Sequence, residues 1–298
     1  MSGQGDTNPR AALPRTVQYG INRYRRGQMQ SMKFHLAVLT FVLTSCSALG
    51  VQAPATPVEN AGQIQSRTYV FEPTGETLPY ALYVPRGYRP QHAAPLIVAL
   101  HGLGSNPGQV IRYQGLTDLA EERGYIVVAP MGYNTRGWYG SRGPGRVAGF
   151  GAAASDPENL GELSEQDVLN VLTLVRAEFD IDARRIYLFG HSMGGGGTLH
   201  FGMKYPDVWA ALAPVAPAIY SSPDGLAAMT HIPVIMIQGD RDRLVSVEVT
   251  RRWADRMREL GMRHTYIEIA GGDHTALIAR DVANMRRIFD FFDTARRN

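Results

Sequence analysis

Six apolar runs recur along the chain, at 96–100, 126–129, 186–189, 210–215, 234–237 and 266–269. Most are continuous rather than alternating, which is the pattern of strands covered on both faces. Helical stretches separate them. Val168, Leu172, Val175 and Phe179 share one helix face, after a capping signature at Ser164-Glu-Gln-Asp167. From Ser246 to Leu260, residues Val249, Trp253, Met257 and Leu260 share another, and Gly261 then ends that helix. A last helix is expected over 276–295. Two extended runs at 67–72 and 80–84 flank Pro73-Thr-Gly-Glu76 and predict an antiparallel hairpin. The expected fold is a mostly parallel α/β sheet with helices on both faces, opened by that hairpin.

The chain has 298 residues and a net charge of +3. The excess lies in residues 1–53, which hold six basic groups and one acid; the rest is net −2. No Lys/Arg stripe with interleaved aromatics follows, so the charge gives no argument for a nucleic-acid partner. Residues 32–53 carry a basic start, the apolar run Leu36-Ala-Val-Leu-Thr-Phe-Val-Leu43 and then small residues. This is the form of a secretory leader, and the apolar run is far short of the ~20 residues that span a bilayer. Two processing routes stay open, cleavage after Ala53 or acylation of Cys46, the single cysteine, in a bacterial lipobox-like Leu43-Thr-Ser-Cys46. The expected location is therefore periplasmic, extracellular or anchored to a membrane by lipid at Cys46. Residues 1–31 form a polar extension upstream of Met32, which is itself a candidate start, and 54–64 form a linker. Residues 65–298 are the expected catalytic domain.

Gly190-His-Ser-Met-Gly194 matches G-x-S-x-G, directly after the strand 186–189 and before Gly194-Gly-Gly-Gly197. Strand, sharp turn and helix form the setting that lifts a serine hydroxyl above a sheet. Serine needs a base, and the base needs an orienting acid. The strand 266–269 ends in Gly271-Gly-Asp-His274, which makes His274 the expected base. The strand 234–237 ends in Gln238-Gly-Asp-Arg-Asp242, which makes Asp242 the expected acid, with Asp240 as its rival. Asp273 reads as a loop cap. His101-Gly-Leu-Gly104 follows the strand 96–100 and occupies the place of an oxyanion loop. The backbone N–H groups of Leu103 and Met193 are the expected oxyanion donors, and His101 is expected to brace the loop. His191 is expected to point away from the site. Residues 131–163 interrupt the alternation, and Tyr133, Trp138 and Tyr139 within them are candidate substrate contacts. The sequence contains no H-E-x-x-H, Cys/His cluster or acidic calcium loop, so neither a metal nor another cofactor is expected.

These stretches resemble the α/β-hydrolase superfamily. The closest likeness is to polyhydroxybutyrate-depolymerase-type and feruloyl esterases and to prolyl-oligopeptidase-like catalytic domains. His101-Gly-Leu-Gly-Ser-Asn106, Gly137-Trp-Tyr-Gly140, Asp182-Ala-Arg-Arg-Ile-Tyr187, Gly190-His-Ser-Met-Gly-Gly195 and residues 239–245 carry it. The resemblance implies a serine carboxylesterase acting on small or aryl esters, with an ester substrate as its partner. A serine peptidase and a catalytically silent hydrolase-fold binding protein are the alternatives.

Overall fold

A computed structural model describes residues 58–149 and 151–297. The expected leader 32–53, the candidate acylation site Cys46, residues 1–31 and part of the expected linker 54–64 lie outside the described residues.

The chain opens with strands β1 (Ile64–Phe71) and β2 (Glu76–Tyr83), which pair antiparallel, Phe71 opposite Glu76. Gly75 takes a φ of 71° in the turn between them. There follow β3 (Ala94–Leu100), a one-turn helix α1 (Pro107–Val110), α2 (Leu116–Arg123) and β4 (Ile126–Pro130). Next come α3 (Leu160–Glu178), β5 (Ile181–His191), α4 (Met193–Lys204), β6 (Ala211–Val215) and β7 (Val234–Gly239). The chain closes with α5 (Val247–Glu259), β8 (His264–Ile269), α6 (Ala276–Ala279) and α7 (Val282–Asp293).

Among the described residues eight strands form one sheet in the order β1-β2-β4-β3-β5-β6-β7-β8, parallel from β4 to β8. Every residue of β3, β4, β6 and β7 is buried. Within β3, Leu96, Val98 and Leu100 face one core, with α3, α4 and α5; Ile97 and Ala99 face the other, with α2 and α7. The period of two divides each continuous apolar run between two layers, which is why the strands carry no alternation. The order reverses at β3, which has β4 on one side and β5 on the other. The loops that leave the carboxyl ends of β3 and β5 therefore open toward each other, where such sheets bind ligands.

Three local expectations are corrected. Helix α3 starts at Leu160, so Ser164 and Asp167 lie inside it rather than at its cap. Both are buried acceptors. Ser164 Oγ accepts from Tyr139 N at 3.0 Å. The Asp167 carboxylate accepts from Tyr69 Oη at 2.5 Å and from the backbone N–H groups of Gly132 and Tyr133 at 2.6 and 3.2 Å. The expected last helix is two, because Asp281 caps α7 through Asn284 N and interrupts the run. The segment that interrupts the alternation ends at 159, just before α3 begins, and its described residues are organised. A 3-10 turn at Trp138–Gly140 and the buried Asp156, bound by Arg136, Asn134 and Ala153 N, fold them back on themselves.

Removing the Asp167 carboxylate would strand two backbone donors and a tyrosine hydroxyl in the interior. Asp167→Ala is expected to lower the unfolding free energy by about 2–4 kcal/mol in urea titration. Exposed Glu162→Ala, one turn earlier, is expected to change it by less than about 0.5 kcal/mol.

Candidate active site

Ser192 joins β5 to α4 with φ 58° and ψ −117°, a conformation that non-glycine residues rarely adopt. Its backbone is held on both sides. Its N–H donates to Val215 O at 2.9 Å, and its carbonyl accepts from Ala218 N at 2.9 Å and Gly196 N at 3.0 Å. The glycines around it are required by contact. A Cβ on Gly190 would lie 2.2 Å from Gly194 O, and one on Gly194 would lie 2.3 Å from Leu100 O.

His274 stands on the loop after β8, Asp242 on the loop after β7. The two loops are joined by Asp240, whose carboxylate accepts from Gly271 N at 2.7 Å, and by Arg241 N, which donates to Gly272 O at 3.0 Å. Asp240 is thus committed to the backbone. Asp273 caps the following turn through Thr275 N and Ala276 N. His274 Nδ1 lies 2.7 Å from Asp242 Oδ2, and His274 Nε2 lies 2.8 Å from Ser192 Oγ. The carboxylate requires the hydrogen on Nδ1, which leaves Nε2 to accept from the serine hydroxyl.

The Asp242 side chain is fully buried. Burial alone would raise its pKa, but hydrogen bonds from His274, Val245 N and Leu244 N outweigh that and hold it below the usual carboxylate range. A fourth donor is Gln238 Nε2, at 3.0 Å from Asp242 Oδ2. Sequence reasoning missed Gln238. Its signal was a polar residue continuing the buried apolar strand 234–237.

Gly102 places the loop after β3 beside the serine; a Cβ there would lie 3.4 Å from Ser192 Cβ. Met193 N–H opens α4, where the helix supplies no carbonyl of its own. Leu103 borders the cavity above Ser192. His101 is fully buried beneath this loop, with Nδ1 2.8 Å from Gly102 O and Nε2 2.8 Å from Met131 O. Burial lowers its pKa.

The cavity over Ser192 has a volume of about 950 Å³. Trp138 forms part of its wall, edge-on to Tyr220 with ring centroids 5.4 Å apart. Leu103, Ala218, Leu244 and Val245 add apolar surface, and among the described residues Arg243 brings a full charge to the wall. Tyr139 and Tyr133 do not line it. Tyr139 is fully buried, and its hydroxyl meets His101 N at 3.0 Å and His101 O at 3.3 Å. Tyr133 packs on Phe71 instead. Nor does His191 point away. It lines the cavity, with Nε2 2.8 Å from His274 O and Nδ1 2.8 Å from Tyr113 Oη.

The sequence model of the Esterase family matches residues 72–276, most of the chain. The chain belongs to the Esterase family. S-formylglutathione hydrolase of Rattus norvegicus is 34% identical over 147 residues, 46% of this chain and 51% of that protein. Feruloyl esterase B of Neurospora crassa is 28% identical over 138 residues, 45% and 43% of the two chains. The chain spans about half the length of these two curated relatives. Among solved structures, a thermostable esterase superposes with a TM-score of 0.59 at 24% identity, over 78% of this chain and 63% of that one. A CE1 ferulic acid esterase of Anaeromyces mucronatus, in complex with ferulic acid, gives 0.59 at 18% identity, over 80% and 93%. These likenesses show that the chain has the α/β-hydrolase fold. Among the described residues no group of three or more His, Cys, Asp or Glu is placed to hold a metal ion.

Burial holds the His191 imidazole neutral, with its pKa lowered from an ordinary 6.5 to about 4. Between those values the unfolded chain binds the extra proton. Stability from this group is complete above pH 6.5 and is lost as pH falls through about 4, by on the order of 3 kcal/mol. Urea unfolding of His191→Gln is therefore expected to vary less steeply with pH across that window than unfolding of the wild type. Equal slopes would contradict a buried neutral imidazole.

Proposed function

We propose that this esterase is a serine carboxylic-ester hydrolase acting on small or aryl esters through an acyl-enzyme. The observation that carries the reading is the chain of contacts Ser192 Oγ to His274 Nε2 at 2.8 Å and His274 Nδ1 to Asp242 Oδ2 at 2.7 Å. His274 takes the proton of Ser192 as the hydroxyl attacks the ester carbonyl. Asp242 keeps the hydrogen on Nδ1 and stabilises the imidazolium that forms. The N–H groups of Leu103 and Met193 receive the oxyanion, each such donor contributing about 3–4 kcal/mol to lowering the barrier. His274 then protonates the leaving alcohol and activates the water that frees the acid. This sequence needs no cofactor.

Relatives named S-formylglutathione hydrolase and Feruloyl esterase B support hydrolysis of an acyl group at this site. The edge-on pair Trp138 and Tyr220, inside an apolar cavity, supports an aryl or short acyl group there. The reading extends to location. The leader 32–53 directs export, and acylated Cys46 holds the protein at a membrane by its lipid. Among the described residues no helix is long and apolar enough to cross a membrane. Cys46→Ser is expected to move the protein from the membrane pellet to the soluble fraction, and retention in the pellet would set the lipid anchor aside.

The test of the activity is hydrolysis of p-nitrophenyl esters from acetate to palmitate, with Ser192→Ala alongside. Turnover peaking at short chains and lost by at least about 10⁴-fold in Ser192→Ala is expected. Amide cleavage at comparable rates would favour a peptidase. Absence of turnover, with no labelling of Ser192 by a fluorophosphonate probe, would favour a silent binding protein. Tyr220 is 64% exposed, so Tyr220→Ala leaves the fold intact. It is expected to raise KM for aryl esters by roughly 2- to 10-fold, the worth of one aromatic contact.

A further inference from the structure

His191 is the last residue of β5, and Ser192 follows it directly. Its imidazole is buried between the elbow and the loop that carries His274. A carbonyl oxygen can only accept, so Nε2, at 2.8 Å from His274 O, carries the hydrogen. In the neutral ring Nδ1 then has a free lone pair, and the hydroxyl of Tyr113, at 2.8 Å, donates to it. The reverse arrangement, with Nδ1 donating to Tyr113, would need an imidazolium in an apolar setting. Burial keeps the Tyr113 hydroxyl protonated, with its pKa pushed up to about 12. Tyr113 packs edge-on against His191, ring centroids 5.7 Å apart. One tautomer therefore satisfies every polar atom of the pair.

This bond has a particular place in the framework. The His274 loop is fastened to the β7 loop through Asp240 and Gly272. Among the described residues, and apart from the reacting Ser192–His274 pair itself, the His191 bond is the hydrogen bond that joins this loop to the nucleophile strand. It holds the carbonyl one bond from the His274 Cα, while Asp242 holds the far side of the ring.

We propose that His191, set in its tautomer by Tyr113, is a positioning residue that fixes the distance between the base His274 and the nucleophile Ser192. The proposal rests on the esterase reading above. His191 touches no reacting atom; it removes a freedom of the base loop that would lengthen the proton-transfer contact. Misplacements of about 1 Å cost on the order of 100-fold in rate, so the effect belongs in kcat rather than in substrate binding.

The test compares His191→Phe, His191→Gln and Tyr113→Phe on p-nitrophenyl acetate and in the rate of fluorophosphonate labelling of Ser192, with thermal unfolding followed for each. Phenylalanine keeps an aromatic ring but has no donor. Glutamine loses the ring but carries an N–H near the place of Nε2. His191→Phe is expected to lower kcat and the labelling rate by about 10- to 100-fold with KM within about twofold, and His191→Gln to recover most of that loss. Packing alone predicts the opposite order. Tyr113→Phe, which preserves the edge-on packing, is expected to lower kcat by about 3- to 10-fold and serves if the His191 variants do not fold. A folded His191→Phe with wild-type kcat, a glutamine variant no better than the phenylalanine one, or a Tyr113→Phe variant with wild-type kcat overturns the proposal. A wild type without Ser192-dependent ester turnover overturns the esterase reading itself, and the positioning role with it.

Discussion

The backbone of Ser192 is the constraint on which the rest of the structure turns. A serine at φ 58° and ψ −117° costs of order 1–3 kcal/mol and persists only where its surroundings over-determine it. Here Val215 accepts its N–H, while Ala218 and Gly196 donate to its carbonyl. Val215 ends β6, so the strand beside β5 must reach the same height before the elbow can form. Gly190 and Gly194 must lack side chains because the turn brings Gly194 O and Leu100 O into the space a Cβ would fill. The strained residue thus depends on the reach of β6, the bare glycines and the start of α4 together.

The polar groups beneath the site form a second framework. Ser164 and Asp167 of α3 hold the turn of Tyr139 and the backbone of Gly132, and Tyr139 in turn holds both backbone polar atoms of His101. The loop after β3 is therefore anchored, through a buried tyrosine, to a helix outside the cavity wall. This explains why three residues of the segment 131–159, Tyr133, Trp138 and Tyr139, accept left-handed conformations. Each buried acceptor offsets strain at a neighbour, and each would be costly to leave unpaired.

Continuous apolar runs and the strand–turn–helix setting of Ser192 were legible in the sequence because both rest on neighbours in the chain. What was illegible rests on partners far apart. Ser164 and Asp167 satisfy a capping pattern locally, yet the donors they meet come from residues 69, 132, 133 and 139. Tyr139 and Tyr220 are both aromatic residues in loops. Only packing decides that the first is a buried pillar and the second a cavity wall. For His191 the local rule, that a turn pointing one side chain up points its neighbour down, yields to a distant partner. The loop of His274, 83 residues away, comes back over it. Gln238 reaches Asp242 from the same strand end, and a polar residue closing an apolar strand was its only sign.

Stability and selectivity are divided between different residues at this site. Asp242, His191, Gln238 and the glycines of the elbow are buried, so their replacement disturbs the fold and the chemistry together. Tyr220 and Leu244 line the same cavity at 64% and 76% exposure and carry little of the core. A side-chain change at either alters the shape of the cavity and leaves the backbone donor Leu244 N on Asp242. Residues with few buried contacts are the ones a scaffold can exchange at low cost in stability. The wall can therefore vary at the exposed side chains of Tyr220 and Leu244 while the hydrogen bonds around Asp242 and His274, including that from Leu244 N, stay in place.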